Sequence, residues 1–187
     1  MKVFRLDSDG GNFQSLVLKR NEQWSFVSSI VEGAKPIEDW EPVEVAVLRD
    51  PRIVSSDLPP SDFPFLSPLD VFSAKAVDTL SDILEKNGVL LPLHCAEGDY
   101  LVFVGTNVLN ALDVSRSKLW ALDTGRVVRI DEYCFNSEVL KGQEIFRLSQ
   151  RPWGESYVTD AFVERTKSAG LVGFNFSQLW SNNANEE

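Results

Sequence analysis

The residues best suited to covalent chemistry are His94 and Cys95, which are adjacent and are followed by Glu97 and Asp99. A histidine in contact with a cysteine favours the nucleophilic thiolate, so this pair predicts, as one alternative, a small cytosolic thiol hydrolase. Neighbouring residues of a strand, however, point to opposite faces of the sheet. The adjacency therefore favours a structural role at a strand end over catalysis.

A second chemistry is that of paired carboxylates, which hydrolyse glycosides or bind divalent metals. The densest acidic group is Glu38-Asp39-Trp40-Glu41. This spacing lacks the glycine and the ligand ladder of a calcium-binding loop. A solvated surface is the commoner meaning of such a run, and a paired-carboxylate hydrolase stays open as an alternative.

The motifs of most familiar catalysts are missing from the chain. It contains one histidine, whereas zinc sites of the HExxH and Cys2His2 kinds need at least two. It contains no GxSxG nucleophile elbow, no GxxxxGKS/T phosphate loop and no GxGxxG motif. We therefore expect no metal, no cofactor and no enzymatic activity.

The charge balance is strongly acidic. The 187 residues contain 18 Lys and Arg against 28 Asp and Glu, a formal net charge of −10. Direct binding to DNA or RNA is driven by basic residues, so the balance argues against nucleic acid and fits a basic protein partner.

Targeting signals are also missing from the expected places. Asp7 and Asp9 interrupt the N-terminal segment before a secretory apolar stretch could form. No apolar run reaches the roughly 18 residues that cross a bilayer. We expect a cytoplasmic protein with no membrane partner, in which Cys95 and Cys134 are free thiols.

Residues 32–70 combine acids, prolines and aromatic rings. Seven of the nine prolines lie there, and Trp40, Phe63 and Phe65 are interleaved with the acids. We expect an ordered, extended surface segment, because a disordered linker would carry fewer aromatics. Aromatic anchors ringed by charge are typical of protein interfaces. The predicted partner-binding residues are Glu38, Asp39, Trp40, Glu41, Asp62 and Phe63.

The helices that must position these residues have clear boundaries. Ser73 can cap a helix over Ala74–Asn87, which Gly88 ends. A second helix is predicted from near Thr159 to Gly170.

Short apolar or alternating segments separated by turn residues predict strands. In one of them, Trp24 and Phe26 alternate with polar residues, which is typical of a half-buried strand. The early strands are expected to form a small antiparallel meander. The predicted strands are Val3–Leu6, Phe13–Leu18, Trp24–Ile30, Val43–Leu48, Val89–Leu93, Tyr100–Val104, Arg126–Ile130 and Glu144–Leu148.

Two further local predictions concern a turn and the tryptophans. Leu112-Asp113-Val-Ser115 is expected to be a turn in which side-chain oxygens accept backbone N–H groups. Of the tryptophans, we expect Trp40 and Trp153, which have prolines nearby, at the surface. Trp24, Trp120 and Trp180 are expected in the core.

These elements predict an α+β fold with a mainly antiparallel sheet and two principal helices. A chain of this length is expected to fold as one domain over residues 1–180. Residues 181–187 are expected to be a polar tail.

Several stretches, taken in order, resemble one bacterial family. These stretches are Pro64–Leu84, Leu90–Leu93, Leu112–Ser115, Ile145–Leu148, Ala169–Phe176 and Leu179-Trp180. Together they resemble the polymorphic-toxin immunity proteins of the family numbered eleven in the immunity series, first catalogued as a domain of unknown function. The resemblance covers about residues 40 to 180.

The resemblance implies a non-catalytic protein that binds a cognate toxin in the cytoplasm of the producing cell. It transfers no catalytic residue and does not specify the toxin. Because the chain is acidic, we expect a basic toxin, for example a nuclease whose nucleic-acid cleft the protein occludes. A structural or regulatory subunit of a larger assembly is a third alternative to the inhibitor and the hydrolase.

Overall fold

A computed structural model describes residues 1–49 and 58–182 of the chain. The helices of these residues are α1 (Gln23–Val31), α2 (Ala74–Asn87) and α3 (Asp160–Ser168). Their strands are β1 (Lys2–Ser8), β2 (Leu16–Leu18), β3 (Glu44–Val47), β4 (Asp70–Ser73), β5 (Gly88–Pro92), β6 (His94–Cys95), β7 (Tyr100–Gly105), β8 (Val108–Leu109), β9 (Lys118–Ala121), β10 (Val127–Glu132), β11 (Ile145–Leu148), β12 (Tyr157–Thr159) and β13 (Phe174–Ser181). The predicted α+β class is confirmed.

Antiparallel pairing dominates the sheets of the described residues. The largest sheet has the order β13-β1-β12-β11-β8 and is antiparallel except between β11 and β8. A second sheet, β4-β7-β5, is fully antiparallel, and so is the β9–β10 pair. In the third, β2-β3-β6, strands β3 and β6 are parallel.

Helix α2 forms as its sequence predicts. The Ser73 hydroxyl accepts a hydrogen bond from the Ala76 N–H at 3.1 Å, which satisfies one free donor of the first turn. Leu80, Ile83 and Leu84 are buried at helical spacing. Helix α3 also lies where it is predicted: it begins directly after Thr159 and ends at Ser168, two residues before Gly170.

Two expectations for the N-terminal third are wrong. Trp24–Ile30 belongs to helix α1, because the buried residues Val27, Ile30 and Val31 follow the helical period rather than strand alternation. The expected local meander does not form either. Strand β1 pairs with β12 and β13 from the other end of the chain, so its partners are long-range ones.

The predicted tail begins too early. Ser181 is the last residue of β13 and pairs with Lys2, and the Asn182 N–H donates to the Met1 carbonyl at 3.0 Å. Residues 183–187 of the predicted tail lie outside the described residues.

Three buried apolar clusters hold the elements together. The first cluster lies around α1 and the β2-β3-β6 sheet, and the third joins the β9–β10 hairpin to β11 and β12. The second, between α2, α3 and the sheets, is rich in phenylalanine, and its rings contact one another, with Phe63 and Phe72 centroids 4.8 Å apart.

No helix in the described ranges is long and apolar enough to cross a membrane.

A substitution at Gly88 tests the close packing at the junction between α2 and β5. A Cβ at this position would lie 2.5 Å from the Val104 carbonyl oxygen and would overlap the Phe103 ring. We expect Gly88→Ala to lower the free energy of unfolding by about 2 kcal/mol, the scale of overpacking in a closed core. Chemical denaturation measures this, with Gly11→Ala as the control, because its Cβ would meet no atom closer than 4.0 Å. Equal stability of the two variants would contradict the packing described.

Candidate functional site

The predicted partner-binding residues divide into two sets in the structure. Glu38 and Asp39 lie in an exposed 3-10 turn, Ile37–Asp39, and Glu41 is exposed directly after it. Trp40 is half-buried: its ring stacks on Phe26 with centroids 5.8 Å apart, and its indole N–H donates to the Pro92 carbonyl at 2.9 Å. We call Ile37–Glu41 the acidic turn; its acidic side chains are exposed, and Trp40 packs it against the core.

The second set, Asp62 and Phe63, is not at the surface. Phe63 is 3% exposed and stacks on Phe174 at 5.0 Å between centroids. Asp62 is 6% exposed and accepts hydrogen bonds from the Ser73 hydroxyl, the Lys75 ammonium and the Val172 N–H at 2.9 to 3.0 Å. The expected surface position of both residues is wrong, because aromatic packing and this hydrogen-bond set bury them.

Asp62 is therefore a structural residue whose removal should be costly. Asp62→Ala leaves the Ser73 hydroxyl and the Val172 N–H without their acceptor, so we expect a loss of about 3 kcal/mol in unfolding free energy. Asp82→Ala is the matched control, because the Asp82 side chain is 62% exposed and pairs only across the surface with Arg165. Denaturant titration of both should show a loss below about 1 kcal/mol for the control. Similar losses would refute the anchoring role.

The histidine and cysteine singled out for thiol chemistry face different surroundings. Both lie in β6, where His94 is exposed and Cys95 packs against the first core cluster. His94 pairs with Glu44 of β3, and Cys95 pairs with Val45. The structure thus gives neither residue the mutual contact that a thiol hydrolase would use.

The turn predicted after Leu112 is present. The Asp113 carboxylate accepts hydrogen bonds from the Ser115 hydroxyl at 2.6 Å, from the Ser115 and Arg116 N–H groups, and from the Arg116 side chain. Donation from Ser115 is the largest cause that lowers the pKa of Asp113, to about 2. This carboxylate stabilises its own loop.

A groove away from the acidic turn lies between three segments that are distant in sequence. It has a volume of about 350 Å³ and is lined by residues 6–8, 63, 65–70, 151 and 153–155. Two large rings line it and stay exposed: Phe65 is 50% exposed and Trp153 is 55% exposed. We call this feature the Phe65–Trp153 groove.

Asp7, Asp70, Glu155 and Arg151 line the groove. Arg5 and Arg147 pair with Asp7 and Asp70, so the three carboxylates face three guanidinium groups and the cluster has no net formal charge. Arg151 donates to Glu155 at 3.0 Å, so these two charges offset each other. Asp7 accepts the Arg5 side chain at 2.9 Å and the Ser177 hydroxyl at 3.0 Å. Asp70 is thus the carboxylate of the groove with the least compensation.

Asp70 is held from behind by two residues. Its Oδ2 accepts the Ser156 hydroxyl at 2.6 Å and faces the Arg147 guanidinium at 3.9 Å. The Asp70 side chain is 15% exposed and that of Arg147 only 4%. Burial raises the pKa of Asp70 and lowers the pKa of Arg147, because it disfavours both charged forms. Within the described parts of the chain, Asp70 Oδ1 accepts no hydrogen bond.

Trp153 separates the groove from an apolar hollow. A hollow of about 240 Å³ shares Trp153 with the groove and is lined also by Ile30, Ile37, Val104 and Val108. The ring lies over Gly33, where a Cβ would come within 2.6 Å of it and where φ is +71°. Glycine is thus required here both for the backbone and for the ring. Because Ile37 starts the acidic turn, the turn, hollow and groove adjoin one another.

The tryptophan predictions are partly confirmed. Trp153 is exposed, and Trp24 and Trp180 are partly buried against core clusters, as expected. The expectation for Trp120 is wrong: it is 54% exposed on the β9–β10 hairpin, where its indole N–H donates to Asp131 at 2.6 Å. The hairpin buries Ile130 on its other side instead.

Sequence reasoning missed the groove as a site. Phe65 and Trp153 were visible as aromatic residues near prolines, but nothing in their spacing brings them together. Asp7 and Asp70 belong to strands of different sheets. Within residues 1–49 and 58–182, no group of three or more His, Cys, Asp and Glu side chains is placed to hold a metal ion.

No protein-family model matches the chain, and no curated protein sequence matches it. The resemblance to an immunity family stays a prediction from the sequence.

The two aspartates with opposite environments give a pH test. We expect Asp113 to titrate with a pKa of about 2 and Asp70 to titrate above the ordinary value of 3.8. Carboxyl-carbon NMR titration measures both, and Asp113→Asn assigns the lower transition. Because folding raises the pKa of Asp70, its contribution to stability improves as pH falls through that pKa. Asp113 has the opposite sign: its stabilisation is lost as pH falls from the unfolded value through 2. An Asp70 pKa at or below 3.8 would contradict the burial described.

Proposed function

We propose that this protein is an immunity protein that neutralises a basic toxin by binding it directly in the cytoplasm of the cell that makes both. The observation that carries the proposal is the Phe65–Trp153 groove, a recess with two exposed rings and a lining of paired charges. Exposed aromatic rings beside a charged recess are typical of anchor positions in protein interfaces. The sequence resemblance to immunity proteins supports the same class.

The charge of the chain supports a basic partner. A net charge of −10 attracts a basic protein over long range and raises its association rate. The exposed acidic turn, with Glu38, Asp39 and Glu41, adjoins the groove through the hollow at Ile37. We assign that turn to steering and the groove to anchoring.

A nuclease is a suitable target on physical grounds. Its active cleft carries basic residues that bind phosphates, and an acidic surface presents a charge pattern of the same sign as the nucleic acid. Binding there would exclude the substrate without any chemistry by the inhibitor. The proposal accordingly assigns no catalytic residue to this chain.

One observation favours a second candidate, a carboxylate hydrolase. The groove contains three carboxylates, and the pKa of Asp70 is raised, as a general acid would need. Against this, Asp7 and Glu155 are each bound by an arginine. If the purified protein hydrolyses a glycoside and Asp70→Asn abolishes the turnover, this candidate replaces the inhibitor.

Charge reversal at the groove tests the proposal. We expect Glu155→Lys to weaken binding to the toxin encoded by the neighbouring gene at least tenfold, because it places a cation beside a basic surface. Glu138→Lys is the control for charge reversal away from the groove: Glu138 also pairs with a cation, Lys141 at 2.6 Å, but its side chain is 73% exposed whereas that of Glu155 is 36% exposed. Isothermal calorimetry at two salt concentrations measures both, and co-expression of each variant with the toxin scores survival.

Charge reversal in the acidic turn is a second test of the proposed binding. Reversal of Glu38, Asp39 and Glu41 together should slow association more than it speeds dissociation, because exposed charges act mainly on encounter. Phe63→Ala is not a test of the interface, because Phe63 lies in the core. The proposal fails if the neighbouring toxin does not bind, or if binding is indifferent to salt and to all of these reversals.

A further inference from the structure

The five-stranded sheet ends in a long strand with one open edge. Strand β13 has eight residues and pairs with β1, and no second strand of the described residues pairs with it. An open edge presents free backbone N–H and C=O groups in a row, and a further strand can bind to them. The register of β13 shows which of its groups are free.

The hydrogen bonds of β1 fix the directions of the backbone groups in this part of the sheet. The Asp9 N–H donates to the Gly173 carbonyl, directly before β13, at 2.8 Å. The Leu6 N–H donates to the Ser156 carbonyl, directly before β12, at 3.0 Å. Because directions alternate along a strand, the odd-numbered residues of this part of β1 face β13 and the even-numbered ones face β12.

Alternate residues of β13 therefore point away from the sheet. Asn175 and Ser177 lie opposite odd-numbered residues of β1 and bond to them. The N–H and C=O groups of Phe174, Phe176 and Gln178 consequently point outward, and they have no hydrogen-bond partner in the part of the chain that the structure describes. The pairing register shifts directly after Gln178, which ends the regular edge. We call Phe174–Gln178 the β13 edge.

The β13 edge lacks the residues that usually keep strand edges apart. Natural edges commonly carry charged residues or proline, which disfavour pairing with another chain. No charged residue and no proline lies between Lys167 and Glu186 in the sequence. By contrast, the six-residue strand β10 carries Arg129, Asp131 and Glu132. The β13 edge is thus a neutral, open edge on an acidic protein.

We propose that the β13 edge pairs with the β13 edge of a second copy of this chain, antiparallel about a two-fold axis at Phe176. In this register Phe176 lies opposite the same residue of the second copy, and Phe174 lies opposite Gln178. The three outward residues of each copy then exchange six N–H···O=C hydrogen bonds, so none of these groups stays free. The inference goes beyond the proposed function and does not depend on it, since none of residues 174–178 lines the Phe65–Trp153 groove.

The charge and the symmetry of the edge favour a second copy over a basic partner. A basic protein gains most at an acidic surface, and this edge offers it no carboxylate. Two copies, each with a formal net charge of −10, repel each other at long range, but at a neutral edge they pair without like charges directly opposite. The outward set is also self-complementary: three residues centred on Phe176 match their own reverse, as a two-fold interface requires.

The side chains of the edge fit this pairing on both faces. Phe174 and Phe176 are half-buried against the second apolar cluster, and their rings stack with centroids 5.8 Å apart. The two-fold axis continues this row of rings into the second copy, and cross-strand aromatic pairs stabilise antiparallel sheets. On the other face Asn175 lies opposite Ser177, and both are uncharged. Because the paired segment is short, we expect a dimer that forms as the concentration rises.

Amide hydrogen exchange in the full-length protein tests the proposal residue by residue. The Phe174, Phe176 and Gln178 amides should exchange fast in dilute solution and become about tenfold more protected as the concentration rises. The Asn175 and Ser177 amides bond to β1 and should be protected throughout. Sedimentation over the same concentrations should show the 21.0 kDa chain converting to a species of twice that mass.

Charges placed at Asn175 test the two-fold register. This exposed residue lies diagonally across the axis from its own copy, at roughly 8 Å. Asn175→Asp and Asn175→Lys should each weaken self-association several-fold, whereas an equimolar mixture of the two variants should associate as tightly as the unaltered protein. Asn21→Asp and Asn21→Lys are the matched controls, because they make the same changes of net charge at an exposed asparagine in the turn before α1.

Gln178→Pro tests the hydrogen bonds themselves. Proline removes one outward N–H from each copy, and so two of the six interchain hydrogen bonds, without removing an N–H that bonds to β1. We expect self-association to weaken by about tenfold. If this variant fails to fold, the Asn175 variants still decide the matter, because that side chain is exposed.

Four results would overturn the inference. The chain could stay at 21.0 kDa at every concentration, or the three outward amides could be protected even in the monomer. The Asn175 variants could associate as tightly as the Asn21 variants do. Finally, a dimer could form while the outward amides still exchange fast, which would place its interface elsewhere. The toxin assay of the proposed function is independent of all four.

Discussion

A buried arginine opposite a nearly buried carboxylate links two sheets of this protein beside its main groove. Arg147 of β11 faces Asp70 of β4 across 3.9 Å and so links the five-stranded sheet to the β4-β7-β5 sheet. Burial disfavours both charges, and apolar replacements of such pairs are often neutral or stabilising, so stability alone does not account for the pair. Its consequence is positional. Because Arg147 also donates to the Pro152 carbonyl at 3.5 Å, one side chain contacts both walls of the Phe65–Trp153 groove.

This arrangement sets three arginines against the three carboxylates of the groove. Arg5 and Arg151 each neutralise a neighbouring carboxylate, while Arg147 lies too far from Asp70 Oδ2 for a short hydrogen bond. Arg147 has only a long contact to Asp70, and its buried Nε has no hydrogen-bond partner among the described residues. The incomplete pairing therefore lies on the buried cation as well as on the carboxylate, and both are fixed in position by the elements around them.

The sequence predicted those parts of the fold that depend on neighbours along the chain. The Ser73 cap, the apolar period of α2, the position of α3 and the turn at Asp113 are local, and each is confirmed. Helix α1 was predicted as a strand because Trp24 and Phe26 alternate with polar residues. The residues that the helix buries, Val27, Ile30 and Val31, have helical spacing but begin only after this alternation. Asp62 was misassigned because its acceptor role involves Val172, 110 residues away. The groove was missed for the same reason. Its walls come from three separate segments, and the pattern of a single sequence does not show that these segments lie together in the fold.

The two most exposed tryptophans show why aromatic exposure alone does not identify a binding surface. Trp120 and Trp153 are equally exposed, at 54% and 55%. The Trp120 indole N–H already donates to Asp131, and the Arg129 guanidinium lies over its ring at 5.1 Å, so the hairpin supplies its own cation to that face. In the described residues no cation lies over Trp153, whose ring instead lies over Gly33. A partner's arginine at Trp120 would have to displace an intramolecular contact, whereas at Trp153 it would add one. The physical distinction between the two rings is thus whether the cation–π contact is already made within the chain, and by that criterion the groove is where a basic partner gains most.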